Sequence, residues 1–248
     1  MKFKYLSLRN YFDYFVRYSK KLENFRKQKR KVFKNYLFRN LNKINSSKEL
    51  IDFHFQKLGE KNHINRDMFE LLLTHFSKKN LNILETGSSG THGSGSSILF
   101  ASYVILFGGT FNTVDLNHKI KDNYKFLESK QVKFHVDDSL NFIKKMKASD
   151  IKDLDIIYLD SFDLDIKNPI PSEKHGLQEF LLLNEKISSG TIISIDDTPD
   201  TFEKFSVTEI NQFNYVPGKG RLIIDYLKSN PKMYKILYHN YALVLEKL

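Results

Sequence analysis

The stretch Leu81-Asn82-Ile83-Leu84-Glu85-Thr86-Gly87-Ser88-Ser89-Gly90 decides how this chain folds. An apolar run of strand length ends in a carboxylate and then in glycines, and a helical pattern begins soon after, near Ser96. Glycine lets a backbone turn tightly and approach a ligand with no Cβ in the way, so this strand, loop and helix read as a ligand-binding turn. Downstream, short β-rich runs at residues 82–86, 110–115, 132–136, 155–160 and 191–195 alternate with helical patterns at 96–107, 119–129, 139–147 and 172–186. That alternation predicts an α/β fold, a doubly wound, Rossmann-like and mostly parallel sheet with crossover helices. Residues 221–228 read as a further helix. Residues 232–239 and 241–246 read as two strands, an antiparallel C-terminal hairpin that closes the sheet.

Upstream of residue 80 the pattern is helical. Apolar residues Leu22, Phe25, Val32, Phe33, Tyr36 and Leu37 recur at spacings of three, four and seven, with Lys and Arg on the opposite face. Two more helical stretches follow at 48–58 and 65–78. The expected organisation is a basic N-terminal helical appendage over residues 1–80 and one α/β domain over 81–248, within reach of a 248-residue chain. The aromatic stripe suits docking against the main domain or pairing in a homodimer.

Composition narrows the classes. With 41% hydrophobic and 27% charged residues, the chain has the make-up of a soluble globular protein, and no apolar run approaches the ~20 residues needed to cross a bilayer. The basic N-terminus lacks the apolar stretch of a secretory signal, so a cytoplasmic location is expected. The absence of cysteine excludes disulfides, thiolate metal sites and a cysteine nucleophile. The formal charge of +10 is localised: residues 1–50 carry 15 Lys/Arg against three Asp/Glu, leaving 24 against 26 elsewhere. Such a segment attracts an anionic partner, RNA or a membrane surface, unless it is simply a solvated helix face in a lysine-rich chain.

Three kinds of cofactor compete for the glycine loop. A triphosphate loop needs G-x-x-x-x-G-K-[ST]; Gly90 and Gly95 have that spacing, but Ser96 replaces the lysine. A dinucleotide fingerprint begun at Gly93 and Gly95 meets Ile98 where its third glycine belongs, and Glu85 would repel a pyrophosphate at the helix N-terminus. A cofactor with a positive amino group and a sulfonium in place of phosphates suits Glu85, and S-adenosylmethionine is one. A nicotinamide oxidoreductase remains the competing enzyme class. Asp115, ending the second strand, can accept the ribose hydroxyls of either adenosine cofactor. Asp137-Asp138-Ser139, ending the third, can reach an adenine amino group, although Asp138 or Ser139 would equally serve as a helix cap.

These strand-end motifs carry a family resemblance. From Ile83 to about Asp197 the chain resembles class I S-adenosylmethionine-dependent methyltransferases. The resemblance matches the acidic glycine-rich first motif to Glu85, Thr86, Gly87, Ser88 and Gly90, the second-strand acid to Asp115 with Leu116 beside it, and the adenine-contacting pair to Asp138 and Ser139. The loop departs from the family by inserting Thr91-His92-Gly93-Ser94-Gly95.

The fourth strand delivers Asp160 and the fifth Asp196-Asp197 to the same sheet edge. Crowded carboxylates need a cation or protons to neutralise them, and oxygen ligands suit Mg²⁺ or a similar divalent cation. The pattern is similar to the metal-dependent catechol and macrocin-type O-methyltransferases, which implies Asp160, Asp196 and Asp197 as metal ligands. The alternative is a strand-end acid plus a turn before Pro199, and Asp163 or Asp165 could substitute for a ligand. Asp160 and His175 are the candidate catalytic groups, His175 as general base near the start of a helix beside strand four. Lys219, in Gly218-Lys219-Gly220, and His92 are further candidates for substrate contact. Enzymes that methylate planar nitrogens often carry an Asn/Asp-Pro-Pro-Tyr-like turn after strand four; here it reads Asp160-Ser161-Phe162-Asp163, which favours oxygen as acceptor. The expected activity is O-methylation of a small-molecule hydroxyl, with a sugar or glycan intermediate preferred, assisted by a divalent metal. The alternative is a metal-independent methyltransferase recruited to RNA or an anionic membrane by its basic N-terminus.

Overall fold

The computed structural model describes residues 31–58, 61–88, 95–205 and 213–248. Expectations for residues 1–30 and for the inserted loop around His92 lie outside these residues. The chain divides at Lys43/Ile44 into two compact units. In the first, a helix (α1) runs through residues 31–41, as its apolar spacing predicts.

The second unit holds the sheet and the two helices that precede it, α2 (Ser47–Lys57) and α3 (Arg66–Thr74). The Ser46 side chain caps α2 by accepting from the Glu49 amide. Seven strands follow: β1 (Leu81–Thr86), β2 (Gly109–Asp115), β3 (Val132–Val136), β4 (Ile156–Leu159), β5 (Ile192–Ile195), β6 (Tyr234–His239) and β7 (Leu243–Lys247). Their order is β3-β2-β1-β4-β5-β7-β6, with β7 antiparallel to both neighbours. The C-terminal pair does close the sheet as a hairpin, with the last strand inserted next to β5 and β6 at the edge.

The interleaved helices are α4 (Ser96–Phe107), α5 (Lys119–Tyr124), α6 (Ser139–Lys145), α7 (Ala148–Lys152), α8 (Ile170–Asn184) and α9 (Arg221–Ser229). Helix α5 is shorter than its periodicity suggests, because the Leu127 amide turns back to the Tyr124 carbonyl. Helix α7 is a short turn that the apolar pattern does not mark. Both faces of the sheet are covered, so strand alternation sorts residues between two cores. On one face Phe69 of α3 and Phe100 of α4 meet Tyr158 of β4, with ring centroids 5.4–5.7 Å apart. On the other, Leu84, Ile157, Leu159, Ile193 and Ile195 pack with Ile143 of α6, Phe180 of α8 and Ile223 of α9. Helix α4 is apolar all round and buried from Ser96 to Val104, which makes it the central helix of the first layer. Among the described residues no helix is long and apolar enough to cross a membrane.

Candidate active site

The parallel strands end together, and a crevice at their C-terminal edge, where strand order reverses about β1 and β4, is where such sheets bind ligands. The sequence-predicted residues of β1 to β5 arrive there, but not all point into it.

Gly87 leaves β1 at φ 78°, a left-handed conformation suited to glycine, and its amide donates to the Val114 carbonyl at 2.8 Å. A Cβ there would lie 2.3 Å from the Asp160 carbonyl oxygen, so the β1 turn and the β4 end approach as closely as backbones can. The Ser88 amide donates to Asp115 Oδ2 at 3.0 Å, and the Asn117 amide to Asp115 Oδ1 at 2.6 Å. These bonds fix the carboxylate and leave each oxygen a further lone pair for a diol. Leu116, next to it, is 73% exposed, an apolar surface held open beside a carboxylate. Asp138 accepts from the Asn141 amide at 2.9 Å and caps α6, so the cap alternative holds for that residue. The Ser139 hydroxyl instead meets His175 Nε2 at 3.0 Å. Gly90 lies outside the described residues.

Glu85 meets a helix where the sequence places a cofactor. Strand alternation turns it onto the α4 face, wholly buried, where Ser96, Ser97 and Thr113 donate hydroxyl hydrogen bonds to it at 2.6, 2.6 and 2.7 Å. Burial pushes its carboxyl up to about 7, the hydroxyls opposing. Its oxygens are committed to the first turn of α4, whose positive end favours the charge. Thr86 is also buried, and its hydroxyl finds no partner among the described residues.

The three aspartates of β4 and β5 do not form the cluster expected of a metal site. Asp196 is turned onto the α3 face, where Tyr158 Oη and Asn65 Nδ2 each donate to it at 2.6 Å. Asp160 and Asp197 both face Lys219, whose ammonium lies 2.7 Å from Asp160 Oδ1 and 3.0 Å from Asp197 Oδ2. Burial alone would push the Lys219 amine down. Asp160, Asp197 and Asp196 outweigh it, so the amine sits above its ordinary value. A divalent ion does not fit this arrangement, because an ammonium lies between two of the proposed ligands and the third is spent elsewhere. Among the described residues no group of three or more His, Asp or Glu side chains is placed to hold a metal. Lys219 itself, expected on a substrate loop, is only 3% exposed.

His175 stands in the crevice between Ser139 and Glu179, the latter one helical turn on and 3.5 Å away. Ser161 Oγ donates to Glu179 at 2.7 Å. The exposed ring of Phe162, on a backbone at φ 58°, lies 5.3 Å from His175. Strained non-glycine backbone recurs at Asp197 (φ 43°), so the turns after β4 and β5 both carry it. Sequence reasoning missed Ser96, Ser97, Thr113, Glu179 and the Asn65–Tyr158 pair. Period-two alternation was the available signal for Thr113, which shares Glu85's face, and for Asp196, which shares Ser194's.

No protein-family model matches the chain, and no curated protein sequence matches it. Solved structures do. MycE, a methyltransferase from the mycinamycin biosynthetic pathway in complex with Mg and S-adenosylhomocysteine, superposes at TM-score 0.56 with 17% identity, over 82% of this chain and 55% of that one. Its complex with Mg, S-adenosylhomocysteine and mycinamycin VI gives the same score and identity, over 82% and 54%. The chain thus spans about half the length of those proteins. A precorrin-6y C5,15-methyltransferase from Geobacter metallireducens aligns more loosely, at TM-score 0.43 and 13% identity, over 77% and 92%. With its strand order, reversed seventh strand and MycE superposition, the chain has the class I methyltransferase fold.

Proposed function

We propose that the protein is an S-adenosylmethionine-dependent O-methyltransferase acting on a hydroxylated small molecule. The observation that carries this is the β2 end. There Asp115, fixed by two backbone amides, stands beside the open apolar surface of Leu116, the pairing a ribose diol and an adenine face require. Asp115, Leu116, Ser139 and the Gly87-Ser88 turn would hold the cofactor; Glu85 shapes that turn through α4, and Asp138 supports Ser139 as the α6 cap. S-adenosylmethionine supplies an electrophilic methyl group on a sulfonium.

The chain's own contribution is to hold an acceptor hydroxyl and take its proton as the new O–C bond forms. His175 is suited to accept that proton, since Ser139 and Glu179 both face its Nε2, which fixes the ring beside the crevice, and Phe162 walls one side. Acids and an exposed aromatic ring at the acceptor side favour a sugar or glycan intermediate. MycE, whose complex with Mg, S-adenosylhomocysteine and mycinamycin VI shares this fold, supports a small-molecule acceptor. The purified protein should release S-adenosylhomocysteine from S-adenosylmethionine with a pool of hydroxylated sugars. Failure with every hydroxyl acceptor would remove the reading.

The charge excess of residues 1–50 favours one addition, recruitment to RNA or an anionic membrane surface. Filter binding or vesicle sedimentation at low and high salt tests it; absence of binding at any salt removes it.

A further inference from the structure

The Gly218-Lys219-Gly220 segment is locked to the β5 turn atom by atom. The Lys219 amide donates to the Asp197 carbonyl at 2.9 Å, and the Gly220 amide to Thr198 Oγ1 at 2.9 Å. A Cβ at Gly218 would lie 2.8 Å from the Asp197 carbonyl oxygen, so glycine there lets the two backbones meet, and one at Gly220 would lie 2.8 Å from the Thr198 side chain that accepts the Gly220 amide. The Lys219 side chain then runs inward to three acceptors: Asp160 Oδ1 at 2.7 Å, the Asp160 carbonyl at 3.3 Å and Asp197 Oδ2 at 3.0 Å. An ammonium has three hydrogens, and all three are directed at the ends of β4 and β5. Both carboxylates stay partly open, 18% and 26% exposed, while the lysine is 3% exposed.

Resting on the methyltransferase reading, we propose that Lys219 is a built-in cation that replaces a divalent metal at the acceptor site. It orients Asp160 and Asp197, the latter also bonded by the Tyr241 hydroxyl, so that their remaining lone pairs accept hydrogen bonds from the hydroxyls of the acceptor. Lys219 is therefore a positioning residue, and the carboxylates are the groups that touch substrate. The charge a metal would supply is covalently part of the chain, so neither acceptor binding nor turnover depends on an added divalent ion.

The test uses the full-length protein and Mn²⁺ as probe. Wild-type protein is expected to leave the electron paramagnetic resonance signal of free Mn²⁺ unchanged and to keep its turnover in EDTA. Lys219→Met is expected to bind one equivalent of Mn²⁺, to lose turnover about 100-fold and to keep its S-adenosylmethionine affinity. Lys219→Arg, which keeps the charge, should hold turnover within about 10-fold and bind no Mn²⁺. Stoichiometric Mn²⁺ binding by the wild type that Asp160→Asn abolishes would overturn the proposal, as would a folded Lys219→Met that binds no Mn²⁺ or turns over normally. If Lys219→Met does not fold, the wild type and Lys219→Arg still decide. If the wild type fails to bind S-adenosylmethionine, the methyltransferase reading falls, while the Mn²⁺ measurements still report on the cation.

Discussion

Acids at neighbouring strand ends, one wholly buried and two half-buried, are made tolerable by different means. Glu85, at the end of β1, is surrounded by three hydroxyl donors and the N-terminus of α4, all neutral. Asp160 and Asp197, after β4 and β5, share the full positive charge of Lys219. Hydroxyls stabilise a carboxylate without settling its protonation, which is why burial still lifts Glu85 to about 7. An ammonium adds a full opposite charge, which opposes the burial that pushes the Asp160 carboxyl up, but it must itself be buried, and becomes indispensable once it is. The first arrangement suits a structural anchor under a cofactor loop; the second suits a site that must present negative oxygens outward.

Breaking the second group should have the largest effect. Lys219→Met leaves crowded carboxylates without their cation, and the stability loss in urea unfolding should be about 3–5 kcal/mol. A loss below about 1 kcal/mol would mean the carboxylates find protons cheaply, as Glu85 does.

The first group predicts a pH dependence instead. The folded pKa of Glu85 lies above its ordinary 4.5, at about 7. The folded state therefore holds the proton more tightly, and stability present below pH 4.5 is lost as pH rises through 7. The shift corresponds to about 3 kcal/mol. Denaturation of the wild type and Glu85→Gln between pH 4.5 and 8 should show this slope in the wild type alone, and equal slopes would refute the assignment.

Smaller effects separate cofactor from acceptor side. Gly218→Ala, which forces a Cβ to 2.8 Å from the Asp197 carbonyl, should cost about 1–3 kcal/mol and lower turnover with little change in cofactor affinity. Asp138→Ala removes the α6 cap, about 1 kcal/mol, and should shift the melting temperature by a few degrees.

Much of this was legible in the sequence. The five parallel strands are short apolar runs with acids at their ends, and that pattern located them and those acids, because a buried parallel strand has little freedom of composition. Helix α4, continuous in apolar residues, has the predicted bounds, Ser96–Phe107. What was not legible depends on side-chain direction and long-range approach. Asp196 and Asp197 are adjacent in sequence and serve opposite purposes, one tied to Tyr158 and Asn65, the other to a lysine. Lys219 reaches Asp160 across 59 positions, and no local pattern announces that pairing. Its two glycines are visible in the sequence only as neighbours of a candidate substrate contact, when they are the condition for close packing against the β5 turn. Glu85 was legible as important and misread in direction, since alternation from Ile83 already turns it toward α4.

Everything proposed for the reaction depends on the C-terminal ends of β1 and β2 binding S-adenosylmethionine through Asp115. Calorimetric titration of the wild type and Asp115→Asn with S-adenosylmethionine, and with NAD in parallel, measures that dependence. The wild type should bind one equivalent of S-adenosylmethionine and no measurable NAD, and the substitution should weaken S-adenosylmethionine affinity about 10- to 100-fold. Preferential binding of NAD, or an S-adenosylmethionine affinity unchanged in Asp115→Asn, would refute it.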